Sequence, residues 1–184
     1  MEAKAPITVL FLGDASVGKT SIIHTKFHEN IDPVPTINTA SFTINVNGVS
    51  LLLYDTAGQE RFHSTTTFFY RQASIAVIVF DVSNIQSFEN LDYWINSLHD
   101  YIGNLKIILV GNKVDVGRSF EKERIREFAD RLNCEYVFTS ALTGDGIDEL
   151  FNTIAEASSN INIPVSTDDS VEVVCDSKKK TTCC

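Results

Sequence analysis

The chain has 184 residues, 43% of them apolar, and a formal net charge of −9. That is the length of one ordinary domain with a short tail, with enough apolar content for a core. The acidic balance argues against nucleic acid as the main partner, because phosphate backbones select basic faces.

Ile7 to Leu12 is a continuous apolar run and reads as a strand buried on both faces. An apolar-periodic stretch from Ser21 follows and reads as a helix ending near Phe27 or His28. Glu29 to Ala40 reads as loop, since Pro33 and Pro35 bar a helix there. In Ser41 to Val46 the residues Phe42, Ile44 and Val46 alternate, which predicts a strand with one solvated face. Asn47-Gly48 is a hairpin signal and Val49 to Tyr54 the returning strand. Thr56 to Thr67 is polar loop leading to a short helix around Phe68 to Gln72. Ile75 to Phe80 is another buried strand. Phe88, Leu91, Trp94, Ile95, Leu98, Tyr101 and Ile102 then fall at helical spacing on one stripe. Leu105 to Val110 is a strand, and Ile125, Phe128, Ala129 and Leu132 mark a helix with Ser119 as its candidate N-cap. Tyr136 to Phe138 is a short last strand. Ile147, Leu150, Phe151 and Ile154 mark the last helix, with Asp145 as candidate N-cap, and the pattern stops after Ser158. Alternating strands and helices predict an α/β fold: a mostly parallel six-stranded sheet with helices on both faces and one antiparallel strand at an edge.

Three motifs stand at strand ends, where such sheets bind ligands. Gly13-Asp14-Ala15-Ser16-Val17-Gly18-Lys19-Thr20, followed by Ser21, fits the phosphate-loop pattern G-x-x-x-x-G-K-[ST] at every fixed position. Its glycines let successive N–H groups converge on phosphate oxygens at a helix N-terminus. Lys19 would reach the β- and γ-phosphates and Thr20 would offer its hydroxyl to Mg²⁺. Asp55-Thr56-Ala57-Gly58-Gln59 comes second. Asp55 is suited to hold Mg²⁺ through water, Gly58 to bring its N–H near a γ-phosphate, and Gln59 to orient an attacking water. Asn112-Lys113-Val114-Asp115 comes third. Guanine offers two adjacent donors that one carboxylate, Asp115, can accept, whereas adenine presents an acceptor there and leaves it unpaired. The stem of Lys113 can cover the base, and Thr139-Ser140-Ala141 would supply N–H groups to the guanine carbonyl oxygen.

With these motifs in this order the chain resembles the Ras superfamily of small GTPases, and within it the Rab family. The resemblance covers about residues 7 to 158 and the last two residues. It is carried further by Gly58-Gln59-Glu60-Arg61-Phe62, Phe69-Tyr70-Arg71-Gln72-Ala73, Val79-Phe80-Asp81-Val82-Ser83, Ser87-Phe88-Glu89-Asn90 through Trp94, and Cys183-Cys184. It implies a P-loop GTPase domain over residues 1–158 that binds GTP and GDP with Mg²⁺ and hydrolyses GTP slowly, needing an activating protein. It implies effectors, an exchange factor and a prenyl-binding chaperone as further partners in vesicle trafficking. Thr36 matches the threonine that ligands Mg²⁺ in the GTP state, and Phe42, Tyr54 and Phe69 match the effector-facing aromatic triad. The chain departs from the pattern at Ala15, where an added methyl could slow assisted hydrolysis, at Asn38, and at Leu142, where Lys is usual. The segments from Lys19 to Thr36 and from Thr36 to Asp55 are shorter than in relatives. Phe27 then either flanks the guanine or only ends the first helix. The alternative function is a guanine-nucleotide-binding interaction module with negligible hydrolysis.

The remaining expectations concern the ends of the chain. Met1 to Lys4 has no apolar core behind it, and no apolar run approaches the ~18 residues of a membrane span. The cysteines (Cys134, Cys175, Cys183 and Cys184) have no metal spacing, so a reduced, soluble domain is expected. Residues 159–184 gather Ser, Thr, Asp and Lys without periodicity and read as a disordered tail. By the resemblance, Cys183 and Cys184 are both geranylgeranylated, placing the protein on the cytoplasmic face of an intracellular membrane and cycling with the cytosol.

Overall fold

A computed structural model of the chain describes residues 5–28, 40–56, 70–99 and 105–159. Six strands form one sheet: β1 (Ile7–Leu12), β2 (Ala40–Val46), β3 (Val49–Asp55), β4 (Ile75–Asp81), β5 (Lys106–Asn112) and β6 (Glu135–Phe138). Their spatial order is β2-β3-β1-β4-β5-β6. Every neighbouring pair is parallel except β2 with β3. The helices are α1 (Lys19–Lys26), α2 (Ile85–Glu89), α3 (Leu91–His99), α4 (Lys122–Leu132) and α5 (Ile147–Ser159), with a short 3₁₀ turn at Val114–Val116.

The central strands bury both faces. Val9 and Phe11 of β1 join the core under α1 and α5, which includes Ile22, Ile23, Leu150, Phe151 and Ile154. Leu10 and Leu12 join the opposite core under α2, α3 and α4, with Phe80, Phe88, Leu91, Trp94 and Ile125. All seven residues of β4 are buried. β2 lies at the edge and alternates half-buried and exposed positions, as its pattern predicts. Asn47 and Gly48 join β2 to β3 with φ of 52° and 82°, the left-handed pair that a two-residue hairpin turn requires.

Several boundaries differ from the sequence reading. Ala40 already belongs to β2, and β5 extends through Gly111 and Asn112, so the base motif begins inside a strand. The stripe after Asn84, through His99, is two helices that meet at Asn90, whose side chain donates to Asp14; Tyr101 and Ile102 lie outside the described residues. Ser119 does not cap α4. Its N–H and hydroxyl both go to the Val82 carbonyl, and Glu121 precedes the helix without a side-chain cap bond. Asp145 does not cap α5 either: Gly146 stands between, and the Asp145 carboxylate accepts the Thr143 hydroxyl at 2.8 Å. Residues 70–72 are helical, as expected; the rest of the predicted 56–72 segment lies outside the described residues after Thr56, up to residue 69.

Candidate nucleotide-binding site

β1 is the strand at which the chain's direction across the sheet reverses, with β3 on one side and β4 on the other. The crevice beyond its C-terminal end is the place where open α/β sheets take ligands. The phosphate loop, 13–18, occupies that place. Gly13 has φ +132°, and a Cβ there would lie 2.0 Å from the Val79 carbonyl oxygen, so no other residue fits. Ser16 takes φ 64° and Gly18 φ 100°, the left-handed turns that curl backbone N–H groups inward. Gly18 then opens α1. Lys19 is 5% exposed, and its ammonium donates to the carbonyls of Gly13 (2.9 Å) and Asp14 (2.8 Å), lying back along the loop. Burial lowers its pKa to about 8 against the opposing pull of the Asp55 and Asp14 charges. Ser21 lies in the first turn of α1, and its carbonyl accepts the Thr25 hydroxyl.

Asp55 ends β3 beside this loop, buried, and accepts the Thr20 hydroxyl at 2.6 Å. Thr56 anchors the chain after it by donating to the Phe11 carbonyl at 2.7 Å. A hydroxyl and a carboxylate side by side at the foot of a phosphate loop are hard oxygens of the kind Mg²⁺ takes, so this pair fits that ion. Among the described residues no group of three His, Cys, Asp or Glu could hold a metal by itself.

The base motif is joined to the phosphate loop by Asn112. Its amide donates to the Val17 carbonyl at 2.8 Å, and its side-chain oxygen accepts from Thr139 Oγ1 (3.1 Å) and Ala141 N–H (3.2 Å). A Cβ on Gly18 would fall 2.3 Å from the Asn112 amide, so glycine there makes room for this tie. Lys113 sits at φ 68° with its ammonium 2.7 Å from Asp81 Oδ2, which stretches its stem between the two loops. Burial works to raise the Asp81 pKa, but the bonds from Lys113 and Ser83 outweigh it and hold the carboxyl below its ordinary value. Asp115 is exposed, and the Ser140 hydroxyl donates to its Oδ1.

The expected row of guanine-facing N–H groups is not laid out as the sequence suggested. Thr139 N–H goes to the Gly111 carbonyl and Ser140 N–H to the Asp145 carbonyl, both at 2.9 Å. Ala141 N–H holds the longer bond to Asn112. Ser140 therefore reaches Asp115 through its hydroxyl and not through its N–H. Phe27 ends α1 and packs on Phe42, centroids 5.8 Å apart, so it serves as a helix end. Phe42 itself faces the core under α1, whereas Tyr54 on the neighbouring strand faces the other core. Tyr54 is registered with Ser41 and Phe42 with Leu53. Successive strand residues point to opposite faces, so Phe42 and Tyr54 cannot share one aromatic surface. Thr36, Gly58, Gln59, Phe69, Cys183 and Cys184 lie outside the described residues. Cys134 has its thiol pushed up to about 11, mainly by burial, and it is remote from any nucleophilic role.

The model of the Ras family matches residues 8–160. The chain belongs to the Ras family. It is 36% identical over 159 residues to the Ras-related protein Rab-5B of Plasmodium falciparum (isolate 3D7), covering 81% of this chain and 76% of that relative. It is 36% identical over 166 residues to a probable Rab-related GTPase of Acanthamoeba polyphaga mimivirus, covering 84% and 77%. It is 35% identical over 167 residues to the GTP-binding protein YPT53 of Saccharomyces cerevisiae (strain ATCC 204508 / S288c), covering 82% and 75%. Within the Ras family the chain is a Rab-type small GTPase, a GTP-binding and GTP-hydrolysing switch in vesicle trafficking that works with effectors and regulators. The reading as a bare binding module gains no support from these relatives. Among the described residues of this Rab-type GTPase, no helix is long and apolar enough to cross a membrane.

Proposed function

We propose that Gly13 to Thr20, with Ser21, hold the phosphates of GTP and GDP, and that Asp115, set by Ser140, selects guanine. The observation that carries this reading is the Asn112 tie, which draws the phosphate loop, the base motif and the Thr139–Ala141 loop to one point. Asn112 spends its own side chain on the protein, so it acts by aligning the loops. Lys113 lays its stem beside the base while Asp81 anchors its ammonium. Lys19 supplies positive charge to the β- and γ-phosphates. Thr20 and Asp55, joined in the GTP state by Thr36, would hold Mg²⁺, which when bound offsets charge on the phosphates during transfer. Gln59 orients the attacking water, and the backbone of Gly58 meets the γ-phosphate. The Ala15 methyl narrows the approach of an arginine supplied by an activating protein.

The domain expected over residues 1–158 runs one residue further, because Ser159 still belongs to α5, and 160–184 is a linker ending in two lipid-bearing cysteines, Cys183 and Cys184. A single chain gives only marginal, reversible attachment, and two give stable anchoring. Lipid attachment keeps the protein at the cytoplasmic face of an intracellular membrane, and a prenyl-binding chaperone returns it to the cytosol.

A single-turnover assay tests the catalytic half of this reading. Intrinsic hydrolysis is expected on the order of 10⁻⁴ s⁻¹, slower still in Gln59→Leu. A rate indifferent to Gln59 means that another group positions the water. Thr20→Asn tests the metal half: it is expected to favour GDP over GTP by removing the hydroxyl, and a variant binding GTP and Mg²⁺ as the parent does would refute that assignment.

A further inference from the structure

Asp14 places a carboxylate inside a loop built to surround phosphates, where its charge would oppose the ligand. The structure turns that carboxylate away and spends both of its oxygens. Asn90 Nδ2 donates to Oδ2 at 2.7 Å, and Trp94 Nε1 donates to Oδ1 at 2.8 Å. Both donors come from the α2–α3 segment, 76 and 80 residues along the chain. Trp94 is 4% exposed and fixed in the core beneath α3, and Asn90 sits where α2 meets α3. Hydrogen bonds to an ionised acceptor are the stronger kind, and here two converge on one residue. The backbone carbonyl of that same residue accepts the Lys19 ammonium at 2.8 Å. Residue 14 therefore links the phosphate-binding lysine to the α2–α3 segment through three bonds.

We infer that Asp14 is a positioning residue: clasped by Asn90 and Trp94, it holds the phosphate loop in its nucleotide-retaining shape, so that the α2–α3 segment sets the rate of nucleotide release. The inference rests on the proposed phosphate-binding role of the loop and adds a control point to it. Movement of Asn90 or Trp94 withdraws a donor from Asp14, and the Asp14 carbonyl that steadies Lys19 moves with it. Anything that shifts α3 then loosens the phosphates from behind, without entering the crevice.

The test measures release of a fluorescent GDP analogue from Mg²⁺-loaded full-length protein on adding excess GDP. Asn90→Asp sets two carboxylates against each other and is expected to speed release at least about fivefold. Adding Asp14→Asn to it restores a donor–acceptor pair and is expected to bring release back toward the parent rate. Trp94→Phe removes the indole N–H together with part of a buried ring and is expected to speed release; the reversal of Asn90→Asp by Asp14→Asn separates loss of the clasp from loss of packing. The preference for GDP over IDP, read at Asp115, stays at the parent value, because the clasp acts on the phosphate end; a preference that fell in step with retention would mean general loosening and overturn the inference. Trp94 is the only tryptophan in the chain, so its emission serves as a second readout. It is expected to change when GDP is removed from the parent and to lose that response in Asp14→Ala. A parent that fails to retain GDP sinks the phosphate-binding reading itself. A parent that retains GDP while Asn90→Asp and Trp94→Phe release it at the parent rate sinks only the clasp.

Discussion

In the proposed reading the base choice rests on Asp115, one exposed carboxylate steadied by the Ser140 hydroxyl. Asp115→Asn reverses one partner at the base edge and is expected to weaken GTP binding by about 1–3 kcal/mol while improving xanthosine triphosphate, as competition binding would show. Unchanged GTP affinity would displace Asp115 from the role. Asp81 makes a second prediction. Its folded pKa lies below its unfolded value of 3.8, so its stabilising contribution is present above that value and fades as pH falls through 3.8 toward the folded pKa. Removing the Lys113 ammonium with Lys113→Met raises that folded pKa. The acid-unfolding midpoint, followed by circular dichroism, is then expected to move to higher pH. Asp81 stands in the sequence reading only within a family-matching run, whereas Asp115 could be singled out because it belongs to a linear motif. The work of Asn112 could not. Its partners Val17, Thr139 and Ala141 are dispersed along the chain, and only the fold brings them to one side chain. Asp14 with Trp94 is the same case.

At the scale of the element, the phosphate loop depends on where β4 runs beneath it. Gly13→Ala would drive a methyl into the Val79 carbonyl while holding alanine at φ +132°. The expected loss is at least about 2 kcal/mol, measured by denaturant unfolding, and it should come with loss of nucleotide. A stable, GDP-loaded Gly13→Ala protein would contradict the geometry. The strands were legible because periodicity reports burial directly: β1 matches its predicted bounds, and β2 and β3 extend by one residue. Helix beginnings were less so. Ser119 has the side chain of a good cap, yet the Val82 carbonyl recruits it, and no local pattern announces such a competitor. The aromatic triad failed for a related reason. Matching Phe42 by residue type ignores that one step along β2 reverses the face, and Ser41 is the true cross-strand neighbour of Tyr54.

For the whole molecule, the sharpest division is expected after α5. A chain ending at Ser159 should keep its GDP affinity and unfold within about 2 °C of the full-length protein, as calorimetry would show. A large fall would mean that 160–184 belongs to the folded unit. Replacing Cys183 and Cys184 with Ser should leave GTP binding intact and abolish membrane recovery from the protein's own cells, with the mass of the parent showing two prenyl groups. The segment from 160 carries Asp168, Asp169, Glu172 and Asp176 against Lys178, Lys179 and Lys180, so attraction to anionic lipid is expected to add little beside the two proposed lipid chains. The sheet order has a consequence of another kind. β1 is one of the two middle strands of the sheet, yet its partners come late: Ile7 pairs with Leu51, and Val9 with Ile75. While the ribosome is still making those partners, the uncharged run Ile7 to Leu12 has emerged with nothing to pair with. Such β-prone apolar segments adhere to their own kind when exposed. Of the six described strands, β1 thus waits longest for its first partner, and destabilising changes in β3 or β4 are expected to show as aggregation during synthesis.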